Sequence, residues 1–88
     1  MVLKPASDVA LNGVGTVRIR SKVLGGVLIS ADGTNDATVR LTAGGDVVFY
    51  LVTKTPAFIC APILLKSETL NISCTGTGAS CFIYEWES

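Results

Sequence analysis

Short runs in which apolar and polar residues alternate, separated by glycine-bearing turns, constrain this chain more than any other feature. In residues 15–20, Val17 and Ile19 alternate with Thr16, Arg18 and Arg20, so a period of two turns an apolar face inward and a basic face outward. Val39 and Leu41 stand opposite Thr38 and Arg40 in the same way, and Leu70, Ile72 and Cys74 opposite Asn71 and Ser73. The nine glycines fall with Thr, Ser, Asn and Asp at Asn12-Gly13, Gly25-Gly26, 31–35, 43–45 and 75–79, the usual punctuation between strands.

Two runs break the alternation. Residues 23–30 and 47–53 are apolar on both faces, and a one-sided sheet cannot hide both. Their second side is expected to meet either a neighbouring subunit or a crossing N-terminal arm formed by residues 1–12. The one helical candidate, 63–70, is short, follows Pro62 and contains the β-branched Thr69, and it reads as a loop leading into a strand. The expectation is an all-β chain of about seven or eight short strands, a single antiparallel β-sandwich or jelly-roll-like domain over residues 1–88, with a small closed barrel as the alternative. With 88 residues there is room for one modest core.

Composition narrows the function classes. Seven basic and seven acidic residues cancel, and no segment combines Lys or Arg with aromatics, so nucleic acid is not an expected partner. The longest apolar run, 47–52, is far short of the roughly 20 residues of a membrane-spanning helix, so no membrane is expected. The first residues lack the basic and apolar regions of a signal peptide. Hydrophobic residues make up 49% of the chain against 16% charged, so part of the apolar surface is expected to be covered by a partner.

Catalytic chemistry finds little support. No histidine is present, which removes the commonest base for a Ser or Cys nucleophile, and no enzyme activity or cofactor is expected. The pairs Asp32 with Asp36 and Glu85 with Glu87 read as solvated carboxylates, lacking an apolar pocket around them. Residues 32–36 could offer oxygen ligands but lack the bidentate acid of a calcium loop, and Cys60, Cys74 and Cys81 have no zinc spacing, so no metal site is expected. Residues 74–79 resemble a phosphate loop only superficially, since a strand follows, and they read as a hairpin turn. Cys74 and Cys81 flank that turn, where facing residues of a non-hydrogen-bonded pair come close enough for a disulfide; three buried free thiols are the other reading. Phe82, Tyr84 and Trp86 share one face of the last strand, an arrangement usual for core, with Trp86 expected to be partly uncovered.

Residues 26–41, GVLISADGTNDATVRL, with residues 70–79, LNISCTGTGA, resemble small virion structural proteins of tailed bacteriophages: capsid decoration, cement or head-fibre components. The resemblance implies a β-sandwich on the capsid surface of a virion made in the bacterial host cytoplasm. It also implies assembly as a homotrimer that binds the major capsid protein and bridges capsomers. Val47, Phe49 and Leu51, with Tyr84 and Trp86, are the expected subunit or capsid contacts. A receptor- or glycan-binding module of a phage fibre or tail is the alternative.

Overall fold

The computed structural model describes residues 2–7 and 9–87, whose regular structure is all strand. In chain order the strands are β1 (Val2–Pro5), β2 (Gly13–Arg18), β3 (Val23–Ser30), β4 (Ala37–Ala43), β5 (Asp46–Thr53), β6 (Ala57–Leu64), β7 (Thr69–Thr75) and β8 (Ser80–Glu87). All pairings are antiparallel, and they nest: β4 with β5, β3 with β6, β2 with β7 and β1 with β8. The long hairpin so defined is rolled over until β3 also pairs with β8 and β4 with β7. Two four-stranded sheets result, β1-β8-β3-β6 and β2-β7-β4-β5. This is the double-sheet jelly roll, and its unpaired outer strands make it an open sandwich instead of a closed barrel.

Between the sheets lies one core. Leu24, Val27, Ile29 and Ile83 enter it from the first sheet and Val39, Leu41, Leu70 and Ile72 from the second, all at 1% exposure or less. The inward positions of β4 and β7 are the apolar positions of the sequence alternation. Each such aliphatic side chain contributes about 1.5–3 kcal/mol on burial.

Bulges resolve much of the two-faced character of β3 and β5. Against β8, β3 carries one extra residue, Gly25, between Leu24 (opposite Glu85) and Gly26 (opposite Tyr84). That extra residue resets the pleat, so Leu24, Val27 and Ile29 all face inward although their spacing is not a multiple of two. In β5 the extra residue is Val48, between Val47 (opposite Thr42) and Phe49 (opposite Leu41). Val48, Phe49 and Leu51 therefore pack against the core.

Four local expectations are corrected. Gly25-Gly26 is the bulge of β3 and not a turn. Residues 63 and 64 complete β6, so the loop before β7 is only 65–68. Residues 75–79 carry the chain from one sheet to the other and do not close a two-stranded hairpin, because β7 and β8 lie in different sheets. The N-terminal residues do not cross a face: β1 extends the first sheet beside β8, and Ala6 N donates to the Ile83 carbonyl at 2.9 Å.

Candidate binding surface

Three places hold the groups that could serve a ligand or partner: the outer face of the first sheet, a polar cleft at one end of the sandwich, and the loops at the other end.

The first is built by the register of β8. Cys81, Ile83 and Glu85 point inward and are buried, so Phe82, Tyr84 and Trp86 point outward. The aromatic stripe is thus on the outside of the sandwich, a correction to its reading as core. Beside it run Leu3 and Pro5 of β1 (opposite Trp86 and Tyr84), Leu28 of β3 (opposite Phe82) and Phe58 of β6 (opposite Leu28). Tyr84 packs edge-on to Phe58 at 5.6 Å and 87°, and against Phe82 at 5.3 Å with the rings tilted. Both geometries lie in the favoured range for aromatic pairs. Gly26 forms the floor, because a Cβ there would sit 3.0 Å from the Phe58 ring.

Phe58 is 46% exposed and Leu28 38%, and Cys60 is also exposed beside them. The outward-facing positions of this sheet carry no Asp, Glu, Lys or Arg among the described residues. Trp86 has its Nε1–H buried without an acceptor, which costs the isolated fold about 1–3 kcal/mol.

The expected contact residues divide between two faces. Tyr84 and Trp86 belong to the aromatic face just described. Val47 lies outward on the other sheet, 48% exposed, with Tyr50 and Val52. Phe49 and Leu51 are turned toward the core by the bulge and are only partly exposed.

At one end of the sandwich a cleft of about 360 Å³ is lined by Lys4, Ser7, Arg18, Arg20 and Glu85 among others. Its charges are largely consumed within the chain. Lys4 pairs with Glu87, whose hydrogen bond holds the ammonium above its ordinary pKa and the carboxyl below its own. Arg18 Nη2 meets Glu68 Oε2 at 3.2 Å. Glu85, only 4% exposed, accepts a hydrogen bond from Ser21 N at 3.3 Å. Glu85 and Glu87 are thus engaged with different partners and do not form a working carboxylate pair.

At the opposite end, Asp32 is tied into its own loop. Its Oδ1 accepts from the backbone N–H of Thr34 and of Asn35, both at 2.8 Å, and its Oδ2 from Asn35 Nδ2 at 2.7 Å. Those bonds, led by the one from Asn35 N–H, hold its carboxyl below the usual range. The loop packs on residues 76–78: a Cβ on Gly76 would collide with the Asp36 carbonyl, and one on Gly78 would lie 3.0 Å from Asp32 Cβ. No cluster of three His, Cys, Asp or Glu with metal-binding geometry occurs among the described residues.

Cys74 and Cys81 are free, buried thiols on strands of different sheets. The cross-strand pairing expected from sequence is corrected, since their strands do not pair. Burial pushes the Cys74 thiol up, and burial together with Cys74 pushes Cys81 to about 12. Neither is a thiolate at neutral pH, so neither is poised as a nucleophile. No family model, curated protein or solved structure matches this chain.

Proposed function

We propose that this chain is a virion structural module, a cement or decoration protein of a phage capsid, that docks on the major capsid protein through the outer face of β1-β8-β3-β6. One observation carries the reading: the outward positions of that sheet are apolar or small, three aromatic rings cluster there, and every described charge lies elsewhere. Such a face is the kind that a partner surface covers. The virion setting comes from the sequence resemblance, and the face comes from the geometry.

Size argues for a contact that works by repetition. Four strands about 4.8 Å apart at about 3.3 Å per residue, three of eight residues and β1 of four, project roughly 450 Å². A specific interface buries about 800 Å² on each partner. One copy would therefore hold weakly, and many copies on a symmetric shell would hold by summed contacts, each raising the work of separating capsomers. No catalytic group enters the mechanism.

The test is co-sedimentation with capsids lacking the protein, comparing the native chain with Phe58→Asp and Leu28→Asp. Both positions are exposed enough to take a carboxylate with the fold retained, as far-UV circular dichroism would report. Loss of binding in folded variants supports the reading, and undiminished binding overturns it. Selective retention on a glycan array, abolished by Phe58→Asp, would instead establish the receptor-binding alternative.

A further inference from the structure

Each sheet of an open sandwich ends in strands whose outer N–H and C=O groups lack a partner, and such edges are normally blunted against pairing with another chain. Three of the four edges here are blunted. β1 has only four residues and includes Lys4 and Pro5. β6 contains Pro62, which has no N–H to donate. β2 carries Gly13 and Gly15 and ends on Arg18. β5 differs: it has eight residues without Pro or Gly, and without charge from Val47 to Thr53. Its bulge at Val48 lies near one end and leaves 49–53 regular. On the outer side it shows Val47 at 48% exposure, Tyr50 at 61% and Val52 at 45%.

We propose that β5 is the site of pairing with a second copy of this chain, antiparallel about a twofold axis at Tyr50, so that two second sheets join into one of eight strands. The sequence of the strand suits that axis. Phe49 then meets Leu51 of the second copy on the core side, and the two Tyr50 rings lie side by side outside. Counted past the bulge at Val48, Val47 of each copy falls opposite Val52 of the other on the outer side, so the exposed row Val47, Tyr50 and Val52 is covered by the same row of the second copy. An isologous contact of this kind closes on itself and forms a dimer, not a fibre. The contact is separate from the aromatic face and does not depend on it.

The test is light scattering on the full chain at about 100 µM, reading mass against the 9.2 kDa of one copy. Twice that mass is expected. Tyr50→Lys sets two ammonium groups against each other on the axis and should give the single mass with an unchanged circular dichroism spectrum. Val52→Asp, which sets a carboxylate against Val47 of the other copy on both sides of the axis, should weaken dimerisation roughly tenfold. Adding Val47→Lys, which sets an ammonium opposite that carboxylate, should restore it. A native chain of single or triple mass, a dimer that survives Tyr50→Lys, or a Val52→Asp chain that Val47→Lys does not rescue would overturn the proposal. A Tyr50→Lys monomer that still sediments with capsids leaves the docking face intact, and a Phe58→Asp chain that still dimerises leaves this contact intact.

Discussion

Gly25 is the position where a single methyl group should act against its usual tendency. Replacing a strand glycine by alanine ordinarily stabilises by about 0.5–1 kcal/mol, because the unfolded chain loses freedom. At Gly25 the added Cβ would collide with Leu3 and lie 2.9 Å from the Glu85 carbonyl carbon and 3.1 Å from Trp86 N. Leu3 can turn away, but the other two atoms are the backbone of β8, which is fixed between β1 and β3. Overpacking of this kind costs about 1–3 kcal/mol, so the net loss is about 1–2 kcal/mol. For a domain of this size that lowers the Tm by roughly 5–15 °C. Gly15→Ala is the control of opposite sign: its Cβ would make an ordinary 3.5 Å contact with Leu11, and stability should rise by about 0.5 kcal/mol. Urea unfolding followed by circular dichroism gives both values. A Gly25→Ala chain as stable as the native one, or a Gly15→Ala chain that loses more, would refute the placement of β1 and β8 around the bulge.

Thiol reactivity should separate the cysteines: native chain treated with maleimide at neutral pH takes one adduct, on Cys60, and two more only after unfolding, as mass spectrometry would count. A second adduct on the folded chain would show that the core thiols are reached. The same burial predicts a pH dependence. Because Cys81 binds its proton up to about 12 when folded and to about 9.0 when unfolded, its contribution is complete below pH 9 and declines as pH rises toward 12, by up to about 1.4 kcal/mol per unit. Urea midpoints between pH 8 and 11 should fall more steeply for the native chain than for Cys81→Ala, and equal slopes would reject it. For Asp32 the sign reverses, since its carboxyl is held below 3.8: its contribution is present above that pH and is lost on acidification. Asp32→Ala should speed amide exchange at Thr34 and Asn35 and flatten the acid side of the stability curve.

Strands with one polar face were legible from residue order alone. Val39, Leu41, Leu70 and Ile72 announced their inward direction through a period of two, and the structure places them there. Bulged strands were not, because a bulge inserts one residue and inverts the parity on which such a reading depends. The bulge at Val48 turns Phe49 and Leu51 toward the core while Val47 stays outside, and the bulge at Gly25 keeps Gly25-Gly26 inside a strand, and neither can be read from alternation. The direction of β8 was hidden by a different cause. Its two faces, Cys-Ile-Glu and Phe-Tyr-Trp, are distinguished only by their neighbours: Ile83 falls opposite Val27 in the core, and Tyr84 opposite the outward Gly26. β6 gives no comparable signal, because Pro62 and the small residues before it carry no alternation. Proximity through a hairpin and proximity across a core leave the same spacing of Cys74 and Cys81 in sequence, and the structure holds them as free thiols on strands of different sheets.

Pairing between β1 and β8 has a consequence for how the molecule comes into being. A ribosome emits the first strand long before the eighth, so the first strand must wait without its partner until β8 has emerged. Only the β4–β5 hairpin, whose turn is local, can form early, and the remaining pairs enclose it at growing sequence separation. Completion of the fold is therefore expected to be slow for a domain of this size. In the interval, the aromatic stripe and the bare β5 edge are open to other nascent chains, so crowded translation is the moment at which misassembly is most costly.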